Sequence, residues 1–165
     1  MSSREFEFGS VGAVTVATKG TPGARQFFIQ ARSGEDLFTV ACEKFHIQSL
    51  MLRIRQLLDA HDLGQPPLHA PISPRLPLEA RWSAAEVGVG YHEAKQQFVI
   101  VIRETGDDEA RSTVRFWVGV DPIRAFVRQA EQTLAAGRPI CVRCGFAMDP
   151  AGHPCPASNG ARPIF

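Results

Sequence analysis

Residues 37–58, LFTVACEKFHIQSLMLRIRQLL, contain the change of hydrophobic period that determines the fold class. The run up to Cys42 has the composition of a strand, and from Glu43 onward the apolar residues recur about every 3.6 positions, as in an amphipathic helix. This helix is expected to end near His61, with Gly64 as its stop signal, and to pack on a sheet. Its apolar face consists of Ile47, Leu50, Met51, Ile54, Leu57 and Leu58.

The segments on either side of this stretch have the same order of elements. A second amphipathic helix is expected from Asp121, as N-cap, and Pro122, as first helical residue. The expected strands cover residues 5–16 with a glycine-marked bend, 25–31, 37–42, 86–91, 97–102 and 113–118. Three strands followed by a helix, twice over, predict an α+β fold in which one antiparallel sheet is built from two such halves and carries its helices on one face.

The proposed domain organisation follows from these elements and from the prolines. An α+β domain is expected over residues 1–137, with halves 1–64 and 80–137, and a zinc ribbon or knuckle over residues 138–165. The connector, residues 65–79, contains five prolines, which favour an extended conformation. It is expected to dock on the domain surface through Leu68, Ile72, Leu76 and Leu78.

Composition sets limits on the class of protein. The chain has 165 residues, 44% of them hydrophobic, and a formal net charge of +1, so it lacks the overall basic field of many nucleic-acid binders. No apolar run approaches the roughly 18 residues of a membrane span, and the N-terminus does not resemble a signal peptide. These features predict a soluble, cytoplasmic protein without a membrane partner. In a reducing compartment clustered cysteines indicate metal or redox chemistry, and the isolated Cys42 is expected to be a buried free thiol.

Three cysteines and one histidine lie within fifteen positions of the tail. Cys141 and Cys144 form a Cys-x-x-Cys pair, and after eight residues His153 and Cys155 form a second compact pair. A Cys₃His set of this kind predicts tetrahedral structural Zn²⁺. The eight-residue spacer is shorter than the roughly twelve residues of a DNA-reading ββα finger, so a ribbon or knuckle is favoured.

Other readings of the cluster are weaker but stay open. A redox pair would place its reactive cysteine at a helix N-terminus, whereas this pair follows a helix end. A catalytic zinc site would leave one coordination position without a protein ligand. Iron in place of zinc is a further alternative, although the histidine weakens the analogy to all-cysteine iron sites.

The tail resembles that of the DUF3090 family, uncharacterised bacterial proteins found mainly in actinobacteria. The likeness is most specific in residues 135–145 and 149–156, continuing to Asn159 and Gly160, and it extends to residues 27–32, 43–44, 88–91 and 125–127. The proline-rich connector and the short loop at residues 106–109 depart from the expected pattern. The resemblance implies a cytoplasmic bacterial protein with a zinc-bearing C-terminus and implies no activity.

Two groups of polar residues are candidates for a ligand or partner surface. They are Arg32, Glu43, Lys44 and Gln48 around the start of the first helix, and Arg138, Arg143, Asn159 and Arg162 around the zinc cluster. The plainer interpretation of Glu43 and Lys44 is that they begin an amphipathic helix. His46 is expected to lie at the surface. No catalytic constellation and no nucleotide-binding glycine motif is present.

The function favoured by these features is a non-enzymatic module whose zinc-stabilised surface meets a protein partner. RNA or DNA binding through the tail arginines is the alternative, and an enzyme with a polar pocket near Glu43 and Gln48 is a weaker one. Uncapped strand edges would favour homo-oligomers.

Overall fold

The computed structural model describes residues 4–21, 23–107 and 109–136. The predicted zinc tail, residues 138–165, lies outside these residues, together with all four proposed ligands and with Arg138, Arg143, Asn159 and Arg162.

The described residues form seven strands and two helices, which confirms the α+β class. The elements in chain order are β1 Glu5–Val11, β2 Ala13–Lys19, β3 Gln26–Ser33, β4 Asp36–Cys42, α1 Lys44–Ala60, β5 Ala84–His92, β6 Gln97–Glu104, β7 Thr113–Gly119 and α2 Val120–Ala135. Helix α1 ends where its sequence predicted, with His61 as its C-cap residue. Helix α2 begins two residues early, since Gly119 is its N-cap and Asp121 lies inside the first turn. Pro122 is tolerated there because amide groups of a first helical turn have no intrahelical acceptor.

The strands form two sheets, so the prediction of a single antiparallel sheet is wrong. One sheet has the order β1-β7-β6-β5 and the other the order β2-β3-β4. Strands β1 and β7 are parallel, and every other pair of neighbours is antiparallel. The predicted first strand divides at Gly12, whose amide donates to the carbonyl of Arg32 at 3.0 Å. The chain thus leaves the first sheet at Val11 and enters the second at Ala13.

Alternation along β1 explains why it pairs with a strand from the other end of the chain. Phe6 and Phe8 pack against the core, whereas Glu5 and Glu7 point outward. Glu7 accepts a hydrogen bond from the indole Nε1–H of Trp117 on β7 at 2.9 Å. Glu5 forms an ion pair at 3.5 Å with Arg115, which also lies on β7. The outward-facing side chains of β1 therefore pair with those of β7, while its inward-facing side chains join the same core.

A short parallel contact joins the two sheets at their other side. The amide of Ala41 donates to Trp82 O at 3.0 Å, and that of Arg81 donates to Thr39 O at 2.9 Å, just before β5 begins. The larger of two apolar clusters extends across both sheets. Phe38 lies within it, and its ring contacts those of Phe6, Phe8, Trp82 and Phe116.

The helices pack across the two predicted halves of the domain. Helix α1 contacts β5, helix α2 contacts β2, and the helices also contact each other. On α2, Gln129 accepts from the amide of Val16 at 2.7 Å and donates to its carbonyl at 2.6 Å. Because β2 is an edge strand, this side chain occupies backbone groups to which another strand could pair.

The connector docks on the outer face of the three-stranded sheet, as predicted, but through different contacts. The buried side chain of Gln30 donates to Arg75 O at 3.0 Å and accepts from Arg75 N at 2.7 Å. Leu78 packs against Ala17, Phe28 and Ala41. The other three proposed anchors were wrongly predicted, since Leu68, Ile72 and Leu76 are exposed. In an extended segment, a non-proline residue has a backbone amide and carbonyl without a partner in a helix or sheet. A glutamine side chain can accept from that amide and donate to that carbonyl at the same time.

Candidate functional site

The predicted metal centre lies outside the described residues, and the described residues offer no substitute for it. Within residues 4–21, 23–107 and 109–136, no three His, Cys, Asp or Glu side chains form a group that could hold a metal ion. Cys42 is a buried free thiol, as predicted. Burial, reinforced by the negative charge of Glu43, raises the pKa of Cys42 to about 12. Because the thiolate is the metal-binding form, Cys42 is a poor ligand at neutral pH.

The structure places the four described candidate surface residues in two separate places. Arg32 pairs with Leu37 at the start of β4, whereas Glu43 follows the end of that strand. Six residues of extended chain correspond to roughly 20 Å. A guanidinium nitrogen of Arg32 donates to Ser73 O at 3.2 Å, so this side chain contacts the connector.

Glu43, Lys44 and Gln48 are exposed at the beginning of α1, and the histidine beside them is buried. The expectation that His46 lies at the surface is wrong. Its Nδ1 accepts a hydrogen bond from the Glu43 amide at 2.9 Å, and its Nε2 lies 3.1 Å from Ala85 O on β5. These two partners assign the proton to Nε2. His46 therefore caps α1 and joins it to the sheet, and both of its ring nitrogens have partners within the fold.

A groove between the two helices contains two of the candidate residues. We call it the helix-pair groove; its volume is about 450 Å³ and its lining is Lys44, Gln48, Met51, Leu52, Arg55, Glu131, Leu134 and Ala135. An ion pair between Arg55 and Glu131 connects the helices. Because α2 ends at Ala135, the groove adjoins the point at which the chain continues toward the cysteine cluster.

Apolar side chains extend this surface along the outer face of α1. Phe45 and Leu52 are each 60% exposed, and they lie seven residues apart, so they project from the same side of the helix. Gln48 lies between them on that side. The beginning of α1 thus presents two large apolar groups with a polar rim, a composition typical of protein-binding surfaces.

Comparison with known sequence families decides the classification of the chain. The family described as "Protein of unknown function (DUF3090)" matches residues 6–155. The chain belongs to the DUF3090 family. The match confirms the resemblance and extends to Cys155, the last proposed zinc ligand. No curated protein and no solved structure matches the chain, and the description of the family names no activity.

This DUF3090 protein also contains a histidine–carboxylate pair that its sequence did not predict. Nδ1 of His69 lies 2.8 Å from Oδ2 of Asp121, and Oδ1 of the same carboxylate accepts from the amide of Leu68 at 2.5 Å. The hydrogen bond from Leu68, followed by the one from His69, lowers the pKa of Asp121. The partners are 52 residues apart in the chain, and no local pattern connects them.

The surroundings of this pair are mostly apolar. It lines a cavity of about 400 Å³, and among the described residues of that lining there is no serine, threonine or cysteine. The described part of the cavity wall therefore holds no side-chain hydroxyl or thiol beside the histidine. The pair fastens the connector to the first turn of α2.

Neither helix within the described ranges combines the length and apolarity needed to cross a bilayer.

Proposed function

We propose that this DUF3090 protein is a non-enzymatic module in which structural zinc shapes the C-terminal segment and the adjoining surface binds a protein partner. The spacing Cys141-x₂-Cys144-x₈-His153-x-Cys155 carries the proposal, because two compact pairs of soft and borderline ligands satisfy a tetrahedral zinc ion. In a segment too short to bury a core of its own, metal binding supplies the folding free energy.

The described part of the chain supports this assignment by elimination. Cys42 is buried and protonated, so zinc bound by this protein would take its thiolates from the tail. Zinc rather than iron is the proposed occupant because one of the four ligands is an imidazole.

The proposed partner surface combines the helix-pair groove with Phe45 and Leu52. An exposed phenylalanine and leucine are poor contacts for a phosphate backbone but suit the apolar centre of a protein interface. Lys44 and Gln48 provide polar groups around that centre.

Metal analysis of purified protein tests the zinc assignment. The full chain should contain one zinc per chain, and Cys141→Ser and Cys155→Ser should each lose it while the urea unfolding of the α+β domain is retained. Cys42→Ala is the matched control and should keep its zinc, because it removes a cysteine that is not a ligand. Full zinc content in both tail variants would refute the proposed ligands.

Capture of partners from the native cell tests the binding surface. Partners should be lost on chelation and also with Phe45→Asp, whereas Leu76→Asp, which changes a large apolar residue exposed on the connector, should retain them. Loss with both aspartate variants, or with neither, would argue against the α1 surface.

The alternative is nucleic-acid binding through Arg138, Arg143 and Arg162, a group of positive charges around the cysteine cluster. Phosphate contacts predict an affinity that falls steeply as salt concentration rises. Absence of binding to mixed RNA and DNA oligonucleotides at low salt would remove this alternative.

A further inference from the structure

A second cavity lies where strands of the four-stranded sheet begin and end. Its volume is about 440 Å³, within the range of small-molecule sites. The beginning of β1, the end of β6, the chain before β5 and the chain before β7 all contribute to it. The lining residues are Arg4, Phe6, Arg81, Trp82, Glu104, Ala110 and Ser112.

Two arginines line this cavity, and the fold holds both of their backbones in place. The amide of Arg81 donates to Thr39 O at 2.9 Å, and the carbonyl of Arg4 accepts from Thr113 N at 2.8 Å. The guanidinium of Arg81 lies over the rings of Phe6 and Phe38, at 5.5 and 5.0 Å from their centroids. Stacking of this kind fixes the orientation of a guanidinium without neutralising its charge.

Neither arginine has a carboxylate partner in the part of the chain that the structure describes. The one acidic residue in the lining, Glu104, accepts a hydrogen bond through Oε2 from the amide of Ser112 at 2.9 Å. No ion pair joins it to Arg4 or Arg81 among the described residues. The indole Nε1–H of Trp82 is buried and also lacks an acceptor there. The cavity wall therefore contains two cations against a single carboxylate.

We propose that this cavity binds a small organic anion, in which a carboxylate or phosphate group is attached to an aromatic or other apolar body. Guanidinium groups bind such anions through charge-assisted hydrogen bonds, often two at a time. Phe6 and Trp82 provide the apolar wall for the body of the ligand. Because the backbones of both arginines and the guanidinium of Arg81 are already held, little ordering is needed when the ligand binds.

Phenyl phosphate and benzoate are suitable probes, and benzyl alcohol is their uncharged counterpart. In a Trp117→Phe variant, Trp82 is the remaining tryptophan and should report binding through its fluorescence. At least one of the two anions should produce a saturable change, and benzyl alcohol should produce none. Calorimetry on the unmodified chain should give the same dissociation constant. Binding should persist after chelation, which separates this site from the proposed zinc tail.

Arginine variants identify the anion contacts. Arg4→Gln and Arg81→Gln should each weaken binding by about tenfold or more, the usual effect of losing one charge-assisted hydrogen bond. Arg53→Gln removes the same charge from the exposed side of α1 and should leave the affinity unchanged. Arg81→Lys, which keeps the charge but not the planar fork, should fall between the unmodified chain and Arg81→Gln.

Three outcomes would overturn the proposal: no saturable binding of either anion at millimolar concentration, equal binding of benzyl alcohol, or equal weakening by Arg53→Gln. If benzyl alcohol bound as tightly as the anions, the cavity would bind the aromatic ring without selecting for negative charge. Arg4 is exposed, so its replacement tests the charge without disturbing the core.

Discussion

Replacing Gln30 by leucine should detach the connector from the three-stranded sheet. Gln30 is only 2% exposed and makes two hydrogen bonds to the backbone of Arg75. Each hydrogen bond contributes about 1 kcal/mol net, so together they are worth about 2 kcal/mol. A loss of that size increases the fraction of molecules whose connector is detached from the sheet roughly 30-fold. The loss in the free energy of docking is no larger than this, because the backbone of the detached connector forms hydrogen bonds to water instead.

Trypsin measures this population directly, because Arg75 is the only lysine or arginine within the connector. Cleavage between Arg75 and Leu76 should accelerate by roughly 30-fold when opening is faster than cleavage. Urea unfolding measures the separate effect on the sheet, where Thr39 loses the bond from Gln30 at 3.2 Å. The same substitution at the exposed Gln48 is the matched control. An unchanged cleavage rate at Arg75 in folded Gln30→Leu protein would refute this account of the docking.

Three further predictions concern single side chains. Cys42 should react with a thiol reagent at pH 8 only after unfolding, because burial raises its pKa to about 12; rapid reaction in the folded protein would contradict this. Hydrogen bonds from the amide of Leu68 and from His69 lower the pKa of Asp121 below its ordinary value of 3.8. The stability that this carboxylate contributes to the fold is therefore complete above pH 3.8 and is lost as pH falls through the lower folded value. Asp121→Asn should therefore be less stable than the unmodified chain in urea at pH 7 and closer to it at pH 3; equal differences at both pH values would exclude this explanation. Gln129→Leu leaves the Val16 amide and carbonyl unpaired and should reduce the free energy of unfolding by roughly 1–3 kcal/mol. Gln132→Leu, on the exposed side of the same helix, should leave stability nearly unchanged, and a similar loss in both would point to helix propensity instead.

Helices and strands could be predicted from the sequence because their signals are local. The face of α1 follows from the spacing of Ile47, Leu50 and Ile54, and all three are buried. The alternation of Glu5, Phe6, Glu7 and Phe8 shows that one side of β1 faces a core. It does not show which strand pairs with it, and the partner begins more than one hundred residues later. Pairing between strands so far apart in the chain depends on the whole fold. The strands were therefore predicted, but their arrangement in a single sheet was wrong.

The same distinction applies to the candidate sites. The proposed zinc ligands lie close together in the chain, so their spacing can be read directly, and they stay a prediction. Arg4 and Arg81 meet only because β1 and the chain before β5 reach the same end of the sheet. His69 and Asp121 meet only because the connector crosses the start of α2. No local pattern in the sequence identifies either of these sites.

The parallel pairing of β1 with β7 has a consequence for synthesis on the ribosome. Strand β1 is the first of the described elements to emerge, yet its partner, Thr113–Gly119, is among the last of them. The hairpins β2–β3–β4 can form early, whereas Phe6 and Phe8 have no complete site until β7 has been made. Contacts across so long a stretch of chain are slow to form, and apolar strands without partners are prone to aggregate. The nascent chain therefore carries an unprotected aromatic strand until β7 has been made, and this strand is where we expect a chaperone to bind.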